Sequence, residues 1–299
     1  MHERVAEPCD LAPLHLGECC RYDELSGELL FVDVFAGDFY RARPEGRTLM
    51  VREQIHLDGH LTALAPVAGD ARGWIIALTR AVCHLAPDGT LSVLAEPEHR
   101  NAPHVRLNDG ACDSAGRFWI GSMAYDARPG GGSLYRFSED TGIEKMRGGI
   151  TISNGIGWSG DDKTMFYVDS GAATIDAFAF DPDRGSLGER RLVAQLDAAR
   201  EGVPDGLCVD DEDNLWVAVW GGHEVRRYSP AGEQLERVRV PVAQPSSCAL
   251  GGANGTTLYI TTARDGLLEE QLVAEPDSGR LFCCDVGVAG RPLNRFGRR

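Results

Sequence analysis

Residues Asn108 to Ser122 read NDGACDSAGRFWIGS: a polar pair and a glycine, an Asp/Gly-rich turn, then a short run built on Trp119. Aromatic and β-branched residues framed by turn signals favour strands over helices. Outward along the chain the same run returns at Leu30 to Val34 (LFVDV), Trp74 to Leu78 (WIIAL), Met165 to Asp169 (MFYVD), Leu215 to Val219 (LWVAV) and Leu258 to Thr262 (LYITT). Anchored on Phe31, Trp74, Trp119, Tyr167, Trp216 and Tyr259, the intervals are 43, 45, 48, 49 and 43 residues. A second strand-like stretch follows most runs, as in CHLAPDG and VRRYSPAG, and no amphipathic helix intervenes. Units of about 40 to 50 residues with four strands each are the pattern of propeller blades. The expectation is an all-β chain folded as a six-bladed β-propeller, one domain over residues 1–299. LFCCDVGVAG supplies a later strand for the sixth unit, and an N-terminal strand is expected to complete that sheet and close the ring.

The innermost strand of each blade lines the central channel, so the residue entering it should precede the aromatic anchor by a near-constant distance. Eleven to fourteen residues before the anchors stand Glu18, His60, Asn108, Asn154, Asp205 and Ser247, all polar. Asn-Gly and Asp-Gly are also common turn dipeptides. The phase shared by six repeats argues instead for a channel lining. Glu18, Asn154 and Asp205 would bring two carboxylates and one amide together from different blades. These are hard oxygen ligands, suited to one divalent ion: Ca²⁺ first, with Mg²⁺, Mn²⁺ or Zn²⁺ also accommodated. Cys/His spacing of a structural zinc site is absent.

Composition narrows the partners. The formal charge of −15, from 45 acidic against 30 basic residues, repels phosphate backbones and anionic headgroups, so neither nucleic acid nor membrane is an expected partner. The N-terminus MHERVAEPCD has no apolar signal region, and no apolar run approaches the length of about 20 residues that spans a bilayer. A cytoplasmic protein, monomeric or weakly self-associating, is expected. The nine cysteines, an odd number that includes the neighbours Cys19-Cys20 and Cys283-Cys284, suit reduced thiols. GIGWSG at Gly155 to Gly160 matches a dinucleotide fingerprint by letter, but another strand follows where a helix is required. DPDRGSLG at Asp181 to Gly188 resembles the start of a calcium loop, yet Ser186 replaces the required glycine and Leu192 the closing acid.

With these residues in hand, the chain resembles the senescence-marker-protein/gluconolactonase (regucalcin-like) family over essentially all six repeats. The most specific stretch is Arg106 to Met123, RLNDGACDSAGRFWIGSM, similar to the family pattern R-x-N-D-G-x-x-D-x-x-G-R-x-W-x-G-x-M. LGE at Leu16 to Glu18, SNGIGWS at Ser153 to Ser159 and PDGLCVD at Pro204 to Asp210 match further motifs in order. The resemblance implies a six-bladed propeller whose metal is held at Glu18, Asn154 and Asp205. It also implies that Arg106 and Asn108 bind a sugar substrate, and that Asp126 stands where several relatives carry a substrate-binding acid. Two departures bear on specificity: Cys19-Cys20-Arg21 follows LGE where Gly-Pro and an aromatic are common, and Tyr125-Asp126 replaces an acidic pair. His60 and His223 either face the substrate or merely pack.

The chemistry expected of such a site is hydrolysis of a sugar lactone. A divalent ion with few protein ligands polarises the lactone carbonyl, Asp205 accepts the proton of the attacking water, and Arg106 orients the substrate. No G-x-S-x-G elbow is present, so no acyl-enzyme is expected. The alternatives are a non-catalytic calcium-binding or sugar-sensing propeller, and a related esterase or organophosphate hydrolase.

Overall fold

Alternating apolar runs and tight turns give the first five repeats a four-stranded antiparallel meander each and the sixth three strands, and six sheets form the molecule. The computed structural model describes residues 2–69, 73–97 and 104–297. The inner strands are Gly17–Asp23, Leu61–Pro66, Val105–Cys112, Ser153–Trp158, Val203–Val209 and Pro245–Gly251. Each pairs antiparallel with a strand carrying one of the recurring runs: Glu28–Asp33, Trp74–Leu78, Phe118–Ala124, Thr164–Asp169, Leu215–Trp220 and Thr257–Thr262. The fold is thus the expected six-bladed propeller. GIGWSG runs along the fourth inner strand into a turn and then another strand, as its flanks imply.

The ring closes as anticipated, because Glu7–Pro8 pairs antiparallel with Phe282–Asp285 and forms the outer strand of the sixth blade. A second N-terminal strand was not foreseen: His2–Val5 lies parallel against Gln234–Arg239, the outer strand of the fifth blade. Ala6, between the two, is fully buried and donates its N–H to the Arg239 carbonyl at 2.8 Å. One short segment therefore fastens two neighbouring blades.

Hydrophobic packing lies between blades. Phe166 and Val168 of the fourth blade, for instance, share a cluster with Leu207, Leu215 and Val217 of the fifth. Five of the six aromatic anchors are buried, each worth about 1.5–3 kcal/mol relative to an exposed side chain. The sixth, Trp74, is half-buried and meets the edge of Phe39, with Arg41 5.4 Å above its ring. The Asp/Gly-rich turns have a packing role. Asp113 Oδ2 accepts from Trp119 Nε1 at 2.8 Å and Asp210 Oδ2 from Trp216 Nε1 at 3.0 Å, so a buried turn carboxylate satisfies each indole.

All nine cysteines are free thiols. The C-terminal residues 290–297 cross the end of the channel toward which the inner strands run. Arg291 reaches Asp213 at 2.8 Å, Arg295 pairs with Asp23, and Phe296 stacks on Phe137. Among the described residues no helix is long and apolar enough to cross a membrane.

Candidate metal centre

Every inner strand carries a β-bulge at or beside its polar channel residue. The register shifts fall between Glu18 and Arg21, Leu61 and Ala63, Leu107 and Gly110, Ser153 and Ile156, Pro204 and Leu207, and Pro245 and Ser247. A bulge re-aims one side chain out of the strand alternation, which is how a strand buried on both faces can present a polar group to the channel. The Asn-Gly and Asp-Gly dipeptides therefore sit inside the strands and make no turn. Their glycines serve close approach between blades. A Cβ at Gly155 would stand 2.7 Å from the Asp205 carbonyl oxygen, and one at Gly206 would stand 2.6 Å from Ser247 Oγ.

Glu18, Asn154 and Asp205 line one cavity of about 270 Å³ together with Arg106, Asn108 and Asp109. Leu16, Val34, Phe35, Met123, Ile152 and Trp220 form its apolar wall. A directed chain of hydrogen bonds fixes the amides. Arg106 donates to Asn108 Oδ1, Asn108 Nδ2 donates to Asn154 Oδ1 at 2.6 Å, Asn154 Nδ2 donates to Ser170 Oγ at 2.7 Å, and Ser170 donates to the Pro204 carbonyl at 2.6 Å. Ser170 thereby orients Asn154 with its oxygen facing Asn108. Two aspartates at the ends of second strands position the approach to the site. Asp33 accepts from the N–H groups of His15 (2.7 Å) and Leu16 (3.1 Å), and Asp169 from those of Thr151 and Ile152 (3.0 Å each).

The carboxylates are only partly compensated. Asp205 Oδ1 is buried with no hydrogen-bond partner, and Glu18 accepts only from its own neighbour, Cys19 N, at 3.1 Å. Glu18 keeps some surface toward the channel but lies deep in the ring, where burial and then the Asp109 charge push its carboxyl up to about 8. Asp205 is also raised, first by burial and then by Glu18 and Asp109, with Arg106 opposing. Buried like charges beside an orphaned oxygen fit a divalent cation bound by hard oxygen donors. Among the described residues no three His, Cys, Asp or Glu side chains form a metal cluster by themselves, and the donor set offered here includes an amide.

The other sequence candidates are placed differently. Asp126 is exposed outside this cavity, where Arg128 N–H bonds to it at 3.3 Å and the Arg128 side chain pairs with it at 3.4 Å. His60 packs edge-on against Phe35 and contacts Tyr125 Oη through Nδ1 at 3.3 Å, so it stands behind the apolar wall. His223 is bound to Glu275 at 2.9 Å, away from the cavity. Sequence reasoning missed Asp109, Ser170, Asp33 and Asp169. The last two had a signal: each is an acid two residues after its anchor, where the other runs carry Ile, Gly, Ala or Thr.

Comparison with known proteins shows the family and the fold. The family described as SMP-30/Gluconolactonase/LRE-like region matches residues 16–264. The chain belongs to that family. Among SMP-30/gluconolactonase relatives, regucalcin of Oryctolagus cuniculus is 34% identical over 285 residues, 93% of each chain. The crystal structure of a calcium-binding regucalcin from Agrobacterium tumefaciens superposes with a TM-score of 0.90 at 26% identity, covering 99% of both chains. A luciferin-regenerating enzyme superposes with a TM-score of 0.88 at 30% identity, covering 98% of this chain and 99% of that one.

Proposed function

We propose that the protein is a metal-dependent lactonase that opens sugar lactones at the Glu18–Asn154–Asp205 cavity. The orphaned, buried Asp205 Oδ1, in the cavity that Arg106 and Asn108 also line, carries this reading. Membership in a family that includes gluconolactonases supports it. Glu18, Asn154 and Asp205 would hold the ion, calcium by the chemistry of the donors and in keeping with the calcium-binding regucalcin relative. When bound, a divalent ion supplies Lewis-acid polarisation of a carbonyl.

The protein's own groups account for the rest. Arg106 orients the lactone through directed donors, and Asn108, whose two N–H groups are engaged by Ser153 and Asn154, through Oδ1, which can accept from a sugar hydroxyl. The apolar wall covers the C–H surface of the ring and excludes water. Asp205 accepts a proton from the attacking water. The new C–O bond forms at the carbonyl carbon, the ring C–O bond breaks, and the proton passes to the departing alkoxide, giving the open hydroxy acid.

A panel of five- and six-membered aldonolactones in a pH-indicator assay, with Ca²⁺, Mg²⁺, Mn²⁺ and Zn²⁺ each supplied, tests the proposal. Activity should vanish on chelation and return with an ion. Asp205→Ala should remove ion binding and turnover together. Arg106→Ala should keep the ion while kcat/KM falls by about 10²-fold or more through lost orientation. Ion binding without turnover on any lactone would establish a calcium-binding propeller instead.

A further inference from the structure

Arg21 and Asp109 form a buried ion pair across the channel, from the first blade to the third, with Arg21 Nη2 3.3 Å from Asp109 Oδ1. Asp109 lines the cavity of Glu18 and Asp205, whereas Arg21 lines a second cavity of about 330 Å³ at the opposite end of the channel. The pair therefore separates the two cavities. Arg21 Nη1 donates to the Cys20 carbonyl at 2.9 Å and Nη2 to the Gly110 carbonyl at 3.1 Å, so its position is fixed by backbone as well as by charge. Gly110 N–H donates to Asp109 Oδ1 at 2.7 Å. Every bond to Asp109 thus falls on Oδ1, and Oδ2 is buried with no partner.

This arrangement adds a third carboxylate beside the candidate metal centre, set against two guanidinium groups, Arg21 and Arg106. Charges this well buried are poorly screened, so each contributes to the potential that a cation meets at Glu18 and Asp205. Arg21 belongs to the Cys19-Cys20-Arg21 stretch that departs from the family pattern.

We propose that the Arg21–Asp109 pair sets the affinity of the metal centre for its divalent ion, Asp109 strengthening it and Arg21 weakening it, with neither side chain ligating the ion. The inference rests on the cation reading of the cavity and is independent of lactone turnover.

Calorimetric titration of the chelator-stripped full-length protein with CaCl₂ and MgCl₂, at one fixed alkaline pH for the wild type and every variant, reads the effect directly. Asp109→Asn keeps the shape and loses the charge, and should weaken binding about tenfold. Arg21→Gln should tighten it by a similar factor. The double variant, neutral at both positions, should lie within about threefold of the wild type because the two changes oppose each other. Arg21→Lys, which keeps the charge should Arg21→Gln fail to fold, should bind as the wild type does. A pair that merely braces the blades would weaken binding in all four variants, and that result overturns the proposal, as does unchanged affinity in both Asp109→Asn and Arg21→Gln. A wild-type protein that binds neither ion would instead remove the metal centre itself, an outcome seen before any variant is compared.

Discussion

Asp169 illustrates how one buried carboxylate governs a site it does not enter. Its two oxygens accept from consecutive N–H groups, Thr151 and Ile152, and so fix the chain immediately before Asn154. Hydrogen bonds to a charged group contribute about 1.5–3 kcal/mol each, and both donors are left unpaired when it is removed. Asp169→Ala should therefore lower the melting temperature and weaken ion binding, although Asp169 lies outside the donor set. Asp169→Asn, which keeps one carbonyl acceptor, should fall between. Equal ion affinity in the wild type and Asp169→Ala would show that Asn154 is positioned by its Ser170 and Asn108 contacts alone.

At the scale of the element, the bulged inner strand and the N-terminal segment do different work. The bulged strands present Glu18, Asn108, Asn154 and Asp205 to one cavity from four blades, whereas His60 and Ser247 at the same phase stay outside it, and glycines beside the bulges let adjacent strands approach. The N-terminal segment closes the ring. Glu7–Pro8 supplies the last strand of the sixth blade, His2–Val5 extends the fifth, and Ala6 and Cys9 are buried beneath them. Deleting residues 1–9 should uncover the edges of two sheets and lower the melting temperature by about 5–10 °C, from a loss of a few kcal/mol in a chain of this size. Differential scanning calorimetry measures this, and an unchanged transition would mean that the ring is held shut by interblade packing alone.

Across the whole molecule, the enclosed carboxylates link stability to pH and to cations. Burial raises Glu18 from an ordinary value of 4.5 to about 8, so between those values the ion-free folded protein holds a proton that the unfolded chain releases. Stability of the ion-free protein should then fall as pH rises through that window, since stability declines wherever the folded state binds more protons. Asp205, also raised, acts in the same direction. A divalent ion competes with those protons, so its stabilising effect should grow as pH rises through that window. Thermal melts in chelator and in CaCl₂ across this range check the sign. Glu18→Gln should flatten the ion-free dependence, and parallel curves with and without calcium would contradict the account.

The repeat and the phase of its polar residues were legible in the chain because both are local and periodic. Strand runs, turn aspartates and the position of Glu18, Asn154 and Asp205 within each repeat all depend on residues close in sequence. Sequence alone also anticipated that an N-terminal strand would complete the sixth blade. Contacts between distant residues were decided only by tertiary structure. Arg21 meets Asp109 across 88 positions and His223 meets Glu275 across 52, and no spacing rule links either pair. The parallel pairing of His2–Val5 with Gln234–Arg239 is likewise long-range, whereas Asp126 stands outside the cavity in a local turn with Arg128. Periodicity specifies which face a side chain occupies within its own blade. Which charges share the channel, and which oxygen is left without a partner, is set by how six blades converge on one axis.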